Sequence, residues 1–68
     1  MPKISLKAAR VNRNLTQDEA AKKLGIARKT LQSWEGGLTY PNALQILDIE
    51  NVYHVKYDDI IFFNPNNA

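Results

Sequence analysis

The 68-residue sequence predicts an all-α fold of five short helices. Three observations predict it. Apolar residues recur at three- and four-residue spacing along most of the chain, and no segment alternates at period two for long enough to make a strand. Helix start signals at Ser5 and Thr16, and stop signals at Asn14, Gly25 and Gly36-Gly37, punctuate those stretches. The chain is near the lower length limit for one core, and with no cysteine it gains nothing from disulfides or thiolate metal sites. Such a chain must pack a helical core or pair with a copy of itself.

Taken in order, residues 1–4 form an arm, with Pro2 near its start. Ser5 caps a first helix running to about Arg13, with Leu6, Ala9 and the stem of Arg13 along its inner side. Asn14, which tolerates the left-handed conformation, ends it. Leu15 staples the next helix, which Thr16 caps with Glu19 three residues on, as a capping box requires. Ala20, Ala21 and Leu24 share one face of that second helix. Gly25 then stops it in a left-handed conformation, and Ile26 fills the bend. A third helix from about Arg28 to Trp34 turns Leu31 and Trp34 inward and Arg28, Lys29, Gln32 and Ser33 outward. Gly36-Gly37 ends it, and Pro41 marks the start of a fourth helix over about 42–52 with Ala43, Ile46, Leu47 and Ile49 inward. Tyr53 packs near its end, His54 interrupts it, and Val55 reaches back to the core. Lys56 or Tyr57 opens a last helix through Ile60, Ile61 and Phe62, and residues 63–68 are expected to be a frayed, flexible tail. The whole chain, 1–68, reads as one domain.

Helices two and three around Gly25 make a helix-turn-helix. The charge distribution suits that motif. Residues 1–37 hold eight of the nine Lys/Arg against three acidic residues, a balance of +5. Residues 38–68 carry −3. A basic half points to a polyanionic partner.

Within the motif, Gln17, Ala21, Gly25, Leu31 and Trp34 stand at places one, five, nine, fifteen and eighteen. The fifth place must be small where the helices cross, and the ninth needs a left-handed backbone. Together with Leu6, Ala9-Arg10, Leu15-Thr16, Glu19, Leu24, Ile26, Glu35, Gly37, Pro41 and Val55 through Ile60, these residues carry a resemblance to the phage repressor/Cro-like (XRE) helix-turn-helix family. The resemblance runs from about Leu6 to Phe62. It implies a lambda-repressor-like five-helix domain whose third helix enters the major groove of DNA. It also implies base contacts by Arg28, Lys29, Gln32 and Ser33, and phosphate contacts by Thr16, Gln17, Thr30, Gly37, Thr39 and Tyr40. Arg10 and Glu35 match a family ion pair between helices one and three. Family members commonly dimerise through the C-terminal helix, so a homodimer is expected here through Ile60 to Phe63.

Four positions depart from the family pattern. Ala20 is smaller than the usual apolar residue, and Ala27 stands where Ser or Thr usually caps the recognition helix. Glu50 replaces the usual Ala and so needs a partner, and His54 replaces the usual Gly or Asn.

The resulting expectation is a sequence-specific DNA-binding transcriptional regulator, a repressor of the phage or mobile-element type acting as a dimer on double-stranded DNA. The other reading is a protein-interaction domain of the antitoxin or anti-repressor kind. No nucleophile–base–orienter set or phosphate loop is visible, so no enzyme, cofactor or small-molecule ligand is implied. A single histidine excludes a multi-imidazole metal site. The absence of a signal pattern and of a long apolar run leads to the expectation of a soluble, cytoplasmic protein.

Overall fold

Four α-helices, one 3₁₀ turn and a two-stranded parallel ladder make up the fold in the computed structural model, which describes residues 3–62. The elements run β1 (Ile4–Ser5), α1 (Leu6–Asn12), α2 (Gln17–Leu24), α3 (Arg28–Glu35), α4 (Ala43–Tyr53), a 3₁₀ turn over Tyr57–Asp59, and β2 (Ile60–Ile61). The helices are seven to eleven residues long. Isolated helices of that length are marginal in water, so caps and packing must hold them.

The caps are explicit. Ser5 accepts from the Ala8 N–H at 3.0 Å. Thr16 and Glu19 form the full capping box at 3.1 and 2.9 Å. A second box, not anticipated from the sequence, joins Asn42 and Gln45 at the start of α4. At the other ends, each helix runs into a residue in the left-handed region: Asn14 (φ 58°), Gly25 (φ 71°), Gly37 (φ 77°) and His54 (φ 53°). After α2, Ile26 N–H reaches Ala21 O at 3.0 Å. After α3, Leu38 N–H reaches Ser33 O at 2.9 Å. Both are the six-to-one bonds by which a left-handed residue lets the chain leave a helix with its last carbonyls satisfied.

The core is Leu6, Ala9, Ala20, Ala21, Leu24, Leu31, Trp34, Ile49, Tyr53 and Ile60. Ala20 and Ala21 are buried, so α2 presents small side chains to its neighbours. Leu15, Ile26, Val52 and Val55 pack on the core half-buried.

Three expectations need correction. The fifth helix does not form: Tyr57–Asp59 is a single 3₁₀ turn, and Ile60–Ile61 is a strand pairing in parallel with Ile4–Ser5. Adjacent β-branched residues favour an extended backbone, and the partner strand lies some 56 residues away in sequence, as the Ile4–Ile60 register records. No local period could announce a ladder of two residues. Second, α1 ends a residue early and Arg13 is exposed, while Arg10, expected to pair with Glu35, is the buried cation of that helix. Third, α4 buries Ile49 and Tyr53, whereas Ala43 and Leu47 face solvent, with Leu47 54% and Leu44 74% exposed. Ile49 and Tyr53 are inward as expected, Val52 packs on the core beside them and Ile46 is half-buried, so the inward stripe is narrower than the expected one. Glu50 finds its partner in the Tyr57 N–H at 2.8 Å, which anchors the 3₁₀ turn to α4. Phe63, part of the expected dimer contact, lies outside the described residues.

Candidate nucleic-acid interface

The geometry of α2 and α3 follows from two buried leucines, one tryptophan and one ion pair. Leu31 and Trp34 bury the inner face of α3. The outer face then carries Arg28, Lys29 and Gln32 exposed, with Thr30 and Ser33 half-buried.

Beneath the outer face, Arg10 of α1 reaches Glu35 at the end of α3. Its Nε donates to Glu35 Oε2 at 2.7 Å and its Nη2 to Oε1 at 3.3 Å. The two side chains are only 9% and 6% exposed. Arg10 Nη1 also donates to Leu15 O at 2.8 Å, so one guanidinium ties α1, the α1–α2 turn and α3 together. The hydrogen bond to Glu35 raises the Arg10 pKa further above its ordinary value, against the opposing effect of burial.

Glu35 has a second partner. Gln17 Nε2 donates to Glu35 Oε1 at 3.1 Å, and Gln32 Nε2 donates to Gln17 Oε1 at 3.3 Å. The buried pair is therefore continued outward along the α2–α3 junction to the outer face of α3. Tyr53 of α4 approaches the same pair from the core. Its hydroxyl is buried and has no hydrogen-bond partner among the described residues. Burial first, and then the Glu35 charge, push its pKa up to about 12.

The start of α3 is built differently. Ala27 supplies no side-chain cap, as its chemistry requires. The unsatisfied N–H groups and the positive end of the helix dipole stand beside Arg28 and Lys29. Asp18 offsets little of that charge: it is 3.7 Å from Arg28, and both side chains are more than half exposed. An uncapped, doubly cationic helix start has an electrostatic preference for negative charge.

The expected contact residues fall into groups. Lys29, Thr30, Ser33 and Thr39 line one shallow cleft, together with Gln45. Thr16, Gln17 and Arg28 line another, with Lys7 and Asp18. Lys7 was not singled out from sequence, although its place one turn before Arg10 on α1 is the signal that could have found it. Two residues stand apart. Gly37 is buried, and its N–H is already given to Trp34 O at 3.2 Å, so it has no backbone donor to offer a phosphate. Tyr40 lies against Phe62, with ring centroids 6.5 Å apart, in a cleft of about 260 Å³ that also includes Pro41, Ile46 and Tyr57. Among the described residues no group of three or more His, Cys, Asp or Glu could hold a metal ion. No described helix is long and apolar enough to cross a membrane.

Two short helices packed on each other about a left-handed glycine, with Ala21 buried on the first and a basic outer face on the second, define a helix-turn-helix DNA-binding regulator. Comparison with known proteins agrees: residues 6–60 match the helix-turn-helix family model, and the chain belongs to that family, in its XRE-like form. It is 38% identical over 64 residues to an uncharacterized HTH-type transcriptional regulator of Methanocaldococcus jannaschii, covering 94% of this chain and 97% of that one. It is 34% identical over 59 residues to another such regulator, of Archaeoglobus fulgidus, covering 87% and 83%. It is 32% identical over 56 residues to the HTH-type transcriptional activator BcrR of Enterococcus faecalis, covering 82% of this chain. The chain spans 28% of the length of BcrR, so the match is to one part of that protein. No solved structure matches.

Two predictions follow from the buried cluster. Arg10→Ala leaves the Glu35 carboxylate buried and unpaired and should cost about 3 kcal/mol in urea unfolding. Arg10→Met combined with Glu35→Met should recover most of that loss, because it removes both charges while filling the space. For Tyr53, a folded-state pKa of about 12 against the ordinary 10 means that its stabilising effect is complete below pH 10 and is lost as pH rises toward 12. Tyr53→Phe, which removes an unpartnered hydroxyl, should melt at or above the wild-type temperature at pH 7 and show a smaller alkaline loss between pH 10 and 12.

Proposed function

We propose that the protein is a sequence-specific transcriptional regulator that lays α3 in the major groove, reading bases with Arg28, Lys29, Gln32 and Ser33. Thr16, Gln17, Thr30 and Thr39 contact the phosphates on either side, with Tyr40 further along the same flank. The observation that carries this reading is the start of α3: Arg28 and Lys29 stand exposed at an uncapped helix N-terminus on the outer face of a helix-turn-helix. A bidentate Arg or Lys contact to guanine O6 and N7 is worth about 1–3 kcal/mol against the wrong base. The curated relatives support the reading, since all three are named as HTH-type transcriptional regulators or activators. Occupancy of the operator gives a repressor, of the phage or mobile-element type expected from the sequence, wherever the operator overlaps a promoter.

A homodimer completes the proposal, so that two α3 helices enter successive major grooves ~34 Å apart. The contact is no longer a C-terminal helix. The apolar surface at that end is the aromatic cleft of Tyr40, Tyr57 and Phe62, with Ile61 beside it in sequence; Tyr40, Tyr57 and Ile61 are about half exposed.

Binding to a random duplex should weaken steeply with salt, in proportion to the phosphates neutralised. A phosphate-contacting cation lost at Arg28→Ala or Lys29→Ala should lower the salt slope by about one, and a base-reading one should relax preference at a single position. Failure to bind any member of a selection library in a salt-dependent way would hand the reading to the protein-interaction alternative. For the dimer, Tyr57→Glu should shift sedimentation on an operator-length duplex from two protomers to one and lower operator affinity at least tenfold. An unchanged stoichiometry would remove the cleft as the contact.

A further inference from the structure

Hydrogen bonds have a direction, and around Glu35 that direction is forced. A carboxylate paired with Arg10 only accepts, so the group Gln17 turns toward it must be the amide nitrogen. The donation at 3.1 Å from Gln17 Nε2 to Glu35 Oε1 therefore fixes which way round the Gln17 amide lies. Its oxygen then faces Gln32, and only the Gln32 nitrogen can meet it, as it does at 3.3 Å. Reversing Gln32 would bring two carbonyl oxygens together, and reversing Gln17 would set its oxygen against the carboxylate.

Gln32 itself is exposed on the outer face of α3. With one N–H held by Gln17, its amide presents the remaining edge: the carbonyl oxygen and the second N–H. One acceptor beside one donor is the complement of adenine, which offers N6–H and N7 in the major groove. It mismatches guanine, whose O6 and N7 are both acceptors.

We propose that the buried Arg10–Glu35 pair sets, through Gln17, the polarity of the Gln32 amide, and so makes Gln32 a reader of adenine. Gln17 is then a positioning residue as well as a neighbour of the phosphate. The inference rests on the DNA-binding reading above.

The test is a selection on random duplex with the wild-type full chain, followed by affinity measurements on the selected operator and its single-base variants. The expected wild-type result is one adenine per half-site that cannot be exchanged for guanine without a loss of about tenfold or more. Gln32→Met should abolish the preference at that position alone. Gln17→Met, which removes both the donor and the acceptor of the relay and leaves the ion pair in place, should cut the adenine-over-guanine ratio at the same position by about tenfold. The double variant should show no further loss of that ratio. A melting temperature within a few degrees of wild type shows that each variant is folded. The relay is overturned if Gln17→Met weakens operator and random duplex equally and leaves the ratio unchanged, the signature of a phosphate contact alone. It is also overturned if Gln32→Met alters no base preference. A wild-type protein that selects no sequence at all overturns the regulator reading itself, a result distinct from either of these.

Discussion

The structure depends on one charge pair placed where water scarcely reaches. Arg10 and Glu35 come from the first and third helices, 25 residues apart, and their side chains are almost wholly covered. Burying two ions is costly, and the attraction between them only roughly repays it. What the pair supplies is position. The guanidinium has a fixed planar fork, and here its three nitrogens are used on two Glu35 oxygens and on the Leu15 carbonyl. The angle between α1 and α3 and the path of the α1–α2 turn are thereby tied to the same rigid group. Gln17 carries that constraint out to Gln32 on the outer face of α3.

The remaining order comes from helix ends rather than helix lengths. None of the four helices exceeds eleven residues, and each gives way to a left-handed residue. Three of them also have a side-chain cap at the start; α3 alone has none. The omission falls at the one helix start where free N–H groups and two exposed cations stand together. Helix α3 is thus held firmly at its C-terminal end by Trp34, Glu35 and the six-to-one bond of Leu38, and left without a side-chain cap beside two exposed cations at its start. A Ser or Thr at position 27 would stabilise the helix by about 1 kcal/mol and consume one of those donors.

Burial divides the acidic and apolar half of the chain less cleanly than hydrophobic spacing implies. Along α4, Leu44 and Leu47 are outside, while Tyr53, with its polar hydroxyl, is inside. Ile49 and Tyr53 take the places in the core, and apolar spacing alone does not say how wide the covered stripe will be. The chain end behaves similarly. Ile60, Ile61 and Phe62 read as the last turn of a helix, yet Ile60 and Ile61 form a strand that pairs with Ile4 and Ser5 and brings the two ends of the fold together.

The sequence by itself determined the features whose causes are local. The capping box of Thr16 and Glu19, the left-handed stops at Asn14 and Gly25, and the helices around them follow from the chemistry of residues three or four places apart. So does the outward set of Arg28, Lys29 and Gln32, because helical period alone places them opposite Leu31 and Trp34. Tertiary structure decided everything that joins distant residues. The ladder between Ile4 and Ile60, the rescue of Glu50 by the Tyr57 N–H and the chain of bonds from Glu35 through Gln17 to Gln32 all depend on which groups the packed core brings within hydrogen-bond reach. The physical reason is that a hydrogen bond is felt over one atomic diameter, whereas the spacing along a chain says only which face a residue shares.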